Sequence, residues 1–171
     1  MQRLSTLSPA YQAAALAAIK ASASAYCPYS NFCVGAALLH ADGSVTPGCN
    51  WENCTLQVTC AERCAIVAAN VAGKRTAQAV AVFGAVRDSA IDSEDLSLTT
   101  PCGLCRQMLA EVGQLSQIDL DIILVARGRE HAEVTKLSAL LPKAFGPADF
   151  GVDIQKWAEG PSTSSTATTT K

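Results

Sequence analysis

The sequence predicts an α/β domain in which strands and helices alternate along the chain. Short apolar runs such as AVAVFGAVR at 79–87 and DIILVAR at 121–127 are typical of strands that are buried on both faces. Between them lies PCGLCRQMLAEVG at 101–113, which has the features of a helix and begins near Pro101. Hydrophobic residues make up 49% of the 171 residues, which is enough for the core of one domain over residues 1–160.

The first predicted element is an amphipathic helix over residues 8–25. Apolar residues recur there and just before it at helical spacing, namely Leu4, Leu7, Tyr11, Leu16 and Ile19. The stretch ASASA at 21–25 has the small residues of a secretory cleavage site, but Gln12 and Lys20 interrupt the apolar stretch. We therefore predict a helix of the mature domain and no export signal.

Two strands and a helix follow. FCVGAALLH at 32–40 predicts a strand that ends in the turn at 41–44, and SVTPGCNWEN at 44–53 predicts a second strand. Pro47 in that strand indicates a sheet edge or a bulge. The next predicted element is the helix at 59–73, with Thr59 as the N-cap and Gly73 at its end.

The second half of the chain repeats the alternation. The polar segment 88–99 predicts a loop, and EVTKLSALLP at 133–142 predicts a short strand and then a helical turn. The Ser/Thr-rich segment 161–171 has nothing to bury, so we expect it to be a disordered tail.

Composition excludes several classes of protein. The net charge is −2, with 13 basic and 15 acidic residues and no basic stripe, so a nucleic acid polymer is not an expected partner. No apolar run approaches the roughly 20 residues that a membrane span needs. The eight cysteines allow a disulfide framework, but the chain is too long and too apolar to need one. Reduced cysteines in a cytoplasmic protein fit better.

The stretch PCGLCRQ at 101–107 is ambiguous by itself. Its two thiols, Cys102 and Cys105, form either a redox dithiol or half of a zinc site. Cys60 is a candidate third thiolate because it also lies in the first turn of a predicted helix, where unsatisfied N–H groups and the helix dipole favour thiolate. Three protein ligands leave a fourth zinc position open, as in catalytic zinc sites.

Glu62 and Arg63 follow Cys60 directly. Glu62 is two residues from a ligand, where a carboxylate can take a proton from water on the metal and return it elsewhere. The alternative is a capping box formed by Thr59 and Glu62, although the second cysteine motif favours the catalytic role. Arg63 can offset the negative charge of three thiolates on zinc, and its alternative is an ordinary solvated helix position.

CAER at 60–63 with PCGLCRQ at 101–107 resembles the zinc-dependent nucleoside and nucleobase deaminases. Three further stretches narrow the resemblance to the small cytidine deaminases of pyrimidine salvage, and these are YCPYSNFCVGAALL at 26–39, GCNWEN at 48–53 and LLPKAFGPADF at 140–150. The resemblance covers roughly residues 8–150. It implies a three-layer α-β-α fold with a mixed central sheet, and hydrolysis of cytidine and deoxycytidine to uridine and deoxyuridine with release of ammonia.

The resemblance also implies roles for individual residues. One zinc per chain is held by Cys60, Cys102 and Cys105, with Glu62 as the proton shuttle and Arg63 and Tyr29 in support. The nucleoside is bound by Phe32, Asn50, Glu52, Ala61 and Phe145. Asn50 and Glu52 match the residues that hold the ribose hydroxyls, and Phe145 matches an aromatic that reaches a neighbouring subunit's pocket. The resemblance thus implies a homotetramer whose sites are completed by adjacent chains.

One segment departs from the family pattern. The run from Glu52 to Leu56 lacks the usual aromatic, and the stretch up to Cys60 is one residue shorter. This leaves open how the loop 53–59 contacts the base. Three other functions remain as alternatives: a deaminase of a cytosine-nucleoside antibiotic, a redox protein that uses Cys102 and Cys105, and a structural zinc module with four ligands.

Overall fold

The computed structural model describes residues 1–160, which form six strands and four α-helices. The strands are β1 (Gln2–Arg3), β2 (Phe32–Leu39), β3 (Val45–Cys49), β4 (Ala79–Val86), β5 (Asp121–Val125) and β6 (His131–Lys136). The helices are α1 (Pro9–Ser22), α2 (Ala61–Val71), α3 (Gly103–Ser116) and α4 (Leu137–Leu140). The predicted disordered tail at 161–171 lies outside the described residues.

The strands form one mixed sheet in the order β1-β6-β5-β4-β2-β3. Strands β4 and β5 are parallel and are joined by a crossover through α3, while the other neighbours are antiparallel. β3 pairs only with β2 and therefore forms an edge, which is where Pro47 predicted it. The predicted mixed sheet is confirmed.

Helices cover both faces of the sheet, which confirms the three-layer architecture. On one face α1 packs its buried alanines, including Ala14 and Ala18, against a cluster that contains Leu39 and Phe83. On the other face α2 and α3 pack against a second cluster formed by alternate residues of the same strands. The contact with α1 is close because Gly35 has no side chain: a Cβ there would lie 1.9 Å from the carbonyl oxygen of Ala18.

The buried face of α1 differs from the predicted one. The helix begins after Ser8, whose hydroxyl accepts a hydrogen bond from the N–H of Tyr11. Leu16, which was assigned to the apolar stripe, is 57% exposed, and the alanines carry the contact instead. Small side chains allow the helix to approach the sheet more closely than a leucine would.

Helix α2 begins one residue later than predicted, because Cys60 and not Thr59 is its N-cap. Its end agrees with the prediction. Gly73 adopts a left-handed conformation with φ of 76°, and the N–H groups of Gly73 and Lys74 bond the carbonyl oxygens of Asn70 and Ala69.

Helix α3 also starts later, since Pro101 precedes its N-cap, Cys102. It continues three residues past Gly113, which the sequence indicated as the end, and closes at Gln117 in a left-handed conformation. Gly113 is needed inside the helix because a Cβ there would lie 3.0 Å from the carbonyl oxygen of Ile118. The glycine therefore serves a close contact and not a helix end.

The secondary-structure types predicted for the remaining segments agree with the structure. Residues 88–99 form a loop, and the segment at 133–142 is a strand followed by one helical turn. The short edge strand β1 was not predicted. Across residues 1–160, no helix has both the length and the apolar character that crossing a bilayer requires.

Candidate active site

The ends of two helices create the centre of the site. Cys60 is the N-cap of α2 and Cys102 is the N-cap of α3, and both have extended backbone angles. Cys105 lies in the first turn of α3, where its N–H donates to Sγ of Cys102 at 3.5 Å. Helix N-termini stabilise negative charge, so both helices favour thiolates at this point.

The three sulfurs form one cluster. Sγ of Cys60 lies 3.8 Å from Sγ of Cys102, and all three Sγ atoms lie within 4.8 Å of one another. Among residues 1–160 this is the one such group of potential metal ligands. The solvent exposure of the three differs, because Cys105 is buried and Cys102 is exposed.

The cluster fits a zinc ion. Tetrahedral zinc with Zn–S bonds of about 2.3 Å holds its sulfur ligands about 3.8 Å apart, which is the distance between Cys60 and Cys102. Cys64, one turn further along α2, does not belong to the group. Three thiolates without a fourth protein ligand are the donor set of a zinc site that keeps one position open.

The protein shifts the pKa values of these thiols in different directions. Burial raises the pKa of Cys60 and of Cys105. Burial also acts on Cys102, but hydrogen bonds from Cys105 and Cys60 outweigh it and lower the pKa of the Cys102 thiol. A divalent cation compensates for the lost hydration of buried thiolates, and metal binding at this cluster would therefore release protons.

Glu62 lies in the first turn of α2 and is only 3% exposed. Burial raises the pKa of its carboxyl, and the neighbouring Cys105 and Arg63 offset part of this effect. The capping-box alternative fails because Thr59 is not the N-cap, and its backbone instead pairs with Trp51. Glu62 is thus a buried carboxyl beside three thiols, with no capping role to explain it.

Arg63 contacts both the thiol cluster and the preceding loop. Its guanidinium donates to the carbonyl oxygen of Val58 and lies 3.8 Å from Sγ of Cys60. This arrangement agrees with a positive charge that offsets thiolate charge. It does not agree with a solvated helix position, because Nε of Arg63 is buried.

Backbone pairing connects the segment of Asn50 and Glu52 to the residue before Cys60. The residue between them, Trp51, exchanges backbone hydrogen bonds with Thr59 at 2.9 and 3.0 Å, and Cys60 follows directly. Alternation along this segment buries Asn50 and Glu52, whereas Trp51 is half exposed and stacks on Tyr26. Both predicted residues therefore share one face.

The side chain of Asn50 holds the start of β2. Its Oδ1 accepts from the N–H of Val34 at 2.8 Å, and its Nδ2 donates to the carbonyl oxygen of Phe32 at 2.9 Å. An amide oxygen has a second lone pair and the NH₂ group a second hydrogen. Asn50 thus keeps one donor and one acceptor for a ligand.

Glu52 is held by the segment before β2. Its carboxylate accepts from the hydroxyl of Ser30 and from the N–H groups of Tyr29 and Ser30, at 2.9 and 3.2 Å for the two N–H groups. These bonds lower the pKa of Glu52. Ser30 was not among the predicted site residues, although it lies in the stretch YCPYSNF, and its hydroxyl also accepts from the N–H of Phe32.

The other predicted residues occupy distinct positions. Phe32 begins β2, and the guanidinium of Arg127 lies 5.7 Å from the centre of its ring. Ala61 is the fully buried first residue of α2. Tyr29 contributes its backbone N–H to Glu52, while its side chain is 53% exposed.

Phe145 stands apart from the others because its side chain is 54% exposed. Its ring packs edge-on against Phe150, with ring centres 4.8 Å apart. Gln107 donates to the carbonyl oxygen of Phe145 at 2.6 Å and so ties this segment to α3. The described chain does not bury this aromatic in a pocket of its own.

Arg106, which follows Cys105 in PCGLCRQ, has a structural role that the sequence did not indicate. Its guanidinium bonds the carbonyl oxygen of Pro101 at 2.8 Å and that of Leu140 at 3.0 Å. It therefore links the loop before Cys102 to the segment that leads to Phe145.

The loop 53–59, which differs from the family pattern, turns at Leu56. This residue has a left-handed backbone conformation and is 73% exposed.

Comparisons with known proteins agree with this geometry. Residues 9–118 match the family model of the cytidine and deoxycytidylate deaminase zinc-binding region. A cytidine deaminase of Halalkalibacterium halodurans is 41% identical over 78% of this chain and 92% of its own, and one of Mycobacterium tuberculosis is 39% identical over 78% and 87%. The crystal structure of a Burkholderia pseudomallei cytidine deaminase matches with a TM-score of 0.66 and 40% identity, over 78% of this chain and 97% of that one.

Proposed function

The chain belongs to the family of cytidine and deoxycytidylate deaminases, and on this premise we propose that it is a zinc-dependent cytidine deaminase. The reaction converts cytidine or deoxycytidine and water into uridine or deoxyuridine and ammonia. The observation that carries the proposal is the three-sulfur cluster at two helix N-termini, with the buried Glu62 in the first turn of one of them.

Cys60, Cys102 and Cys105 would hold one zinc per chain. Zinc with three protein ligands supplies Lewis-acid activation of water at neutral pH. Arg63 supports this arrangement because its guanidinium offsets the charge of the Cys60 thiolate.

Glu62 is the proposed general base and acid. Its carboxylate accepts a proton from the attacking water and delivers it to N3 of the ring. It then takes the second proton of that water, from the hydroxyl now on C4, and delivers it to the amine, so that the C–N bond breaks, ammonia leaves and the C4 carbonyl forms. Burial supports this role because it raises the pKa of the carboxyl toward the working range of a group that both takes and returns a proton.

The proposed nucleoside pocket lies on the side of Phe32, Asn50 and Glu52. Asn50 has one free N–H and one free lone pair, and Glu52 has spare lone pairs beyond its bonds to Tyr29 and Ser30, so both can bind ribose hydroxyls. Phe32 offers an aromatic wall to the base. Ala61 would present its N–H, which as the first of a helix has no intrahelical acceptor.

The same premise supports a homotetramer with shared sites. Phe145 is exposed on its own chain, and a flat aromatic suits stacking on a pyrimidine in a neighbouring subunit's pocket.

We further propose that the protein works in pyrimidine salvage in the cytoplasm, as a catalytic domain over residues 1–160. The net charge of −2 and the absence of a basic stripe agree with free nucleosides as substrates.

The direct test measures metal content and cytidine turnover on one purified sample. We expect about one zinc per chain, following from a single three-ligand site, and a fall in cytidine absorbance that a chelator abolishes. An antibiotic cytosine nucleoside tested in parallel should be a poorer substrate. Turnover of the antibiotic alone would replace the proposed substrate, and undiminished turnover in metal-free protein would contradict the mechanism.

A further inference from the structure

A second group of thiols lies away from the zinc cluster. Sγ of Cys27 and Sγ of Cys33 are 3.1 Å apart, and the two residues are 2% and 8% exposed. Cys49 packs against them, yet these three do not form a metal-ligand set among the described residues. The deamination chemistry uses none of them, so their close contact has no explanation in the proposed function.

A guanidinium accompanies the pair. Arg87 approaches Sγ of Cys27 to 3.4 Å and also bonds the carbonyl oxygen of Ala25 at 2.6 Å. Burial and the neighbouring Cys27 raise the pKa of the Cys33 thiol to about 11, whereas the positive charge of Arg87 acts in the opposite direction.

The pair can be reached from the surface through Cys33, because Cys27 does not line the neighbouring groove. Cys33 and Arg87 line a groove of about 460 Å³ whose walls include Lys20, Phe83 and Asp88. A small uncharged oxidant fits such a groove, whereas a protein partner does not reach thiols that are this deeply buried. The geometry thus selects a peroxide over a thiol–disulfide exchange protein.

We propose that Cys27 and Cys33 are a peroxide-sensitive dithiol that forms a reversible intrachain disulfide. Sγ of Cys33, which lines the groove, attacks one oxygen of hydrogen peroxide, the O–O bond breaks, and the departing hydroxide takes the Cys33 proton to become water. Sγ of Cys27 then attacks the sulfenic sulfur of Cys33, the S–O bond breaks, and the Cys27 proton leaves with the hydroxyl as a second water. Two thiols are oxidised by two electrons and one peroxide is reduced.

The disulfide would join the two ends of the segment 27–33, which contains Tyr29 and Ser30. These two residues hold Glu52 through three hydrogen bonds. Because the sulfurs are already in contact, a bond of about 2.05 Å needs an approach of only about 1 Å. Once formed, the bond would restrict the unfolded chain.

The test maps the bond in the zinc-loaded full-length protein after treatment with hydrogen peroxide. Free thiols are alkylated, and the protein is cut with trypsin and then chymotrypsin. Chymotrypsin cuts after Tyr29 and Phe32, so Cys27 and Cys33 fall on different peptides that only a disulfide keeps together. We expect this linked pair, and we expect a thiol reductant to separate it.

Two variants sharpen the result. Cys27→Ser removes the resolving thiol, so the linked peptide disappears and Cys33 becomes over-oxidised. Cys54→Ser replaces an exposed cysteine outside both clusters and should leave the linked peptide unchanged. The proposal is wrong if peroxide yields only sulfinic acids without a linked peptide, or if Cys33 is found joined to Cys49.

Thermal unfolding supplies a readout independent of peptide mapping. Closing so short a loop should raise the melting temperature by roughly 5 °C in the oxidised wild type, with zinc content unchanged. Cys27→Ser should show no such rise. An equal rise in that variant would contradict the disulfide as its cause.

Discussion

The sulfur atoms of Cys60 and Cys102 lie 3.8 Å apart, although 42 residues separate them in the chain. Each caps a helix, and both helices pack on the same face of the sheet. The spacing is that of two thiolates on a tetrahedral zinc. Most of what we predict for the catalytic site depends on this relationship.

Removal of one of these sulfurs should release the metal. In Cys102→Ala, two thiols remain, and we expect zinc to fall from about one per chain to below about 0.1, with loss of turnover. Cys54→Ala is the matched control, because Cys54 is exposed and outside the cluster. Full zinc content in Cys102→Ala by elemental analysis would show that another group binds the metal.

Neutralising Glu62 should stop chemistry without removing the metal. Glu62→Gln preserves size and hydrogen bonding but cannot accept the proton, so kcat should fall by roughly 10² or more while zinc and nucleoside binding remain. Glu111→Gln, at an exposed position of α3, should behave as wild type. Near-normal kcat in Glu62→Gln would leave Glu62 without a catalytic role.

Glu52 should make stability depend on pH. Its hydrogen bonds from Ser30 and Tyr29 lower its folded-state pKa below the unfolded value of about 4.3. The bonds therefore stabilise the fold above that pH, and their contribution is lost as the pH falls through the folded pKa. Glu52→Gln should melt below wild type at pH 7, and the difference should shrink near pH 3.

The control for this comparison is Glu130→Gln, at an exposed position whose side chain holds no loop. Melting temperatures of the three proteins, measured across the same pH series, separate the effect of Glu52 from general acid unfolding. A gap between wild type and Glu52→Gln that widens toward acid would contradict the assigned hydrogen bonds.

Shared sites should allow two inactive variants to restore each other. Phe145→Ala should weaken nucleoside affinity while zinc remains, and it should be nearly inactive at low substrate concentration. When it is dissociated and reassembled with Glu62→Gln, random assembly gives about a quarter of pockets a Glu62 from one chain and a Phe145 from the next. Activity should recover toward that fraction.

Each variant reassembled alone is the control and should stay inactive. No recovery on mixing, together with a fully active monomer by light scattering, would contradict shared sites. The exposed position of Phe145, held to α3 only through its backbone by Gln107, is the reason to expect recovery.

The sequence by itself determined the types of the main elements and the chemistry of the site. Apolar residues recur about every two residues in strands and every 3.6 residues in helices, because this spacing decides which side chains face the core. The strands Phe32–Leu39 and Ala79–Val86 could therefore be predicted from their own residues. The cysteines of CAER and PCGLCRQ indicated thiolates at helix starts for the same reason, because a helix N-terminus is a local property.

Only the tertiary structure decided which of these residues meet. The contact between Cys60 and Cys102 depends on the packing of α2 and α3 side by side on one face of the sheet, and no local preference determines it. Pairing of Trp51 with Thr59 moved the N-cap from Thr59 to Cys60, which removed the capping box. Likewise, Gly113 lies inside α3 and not at its end, at a place where a Cβ would lie 3.0 Å from the carbonyl oxygen of Ile118. Contacts between distant segments are cooperative, and their geometry exists only once the sheet and its helices have packed.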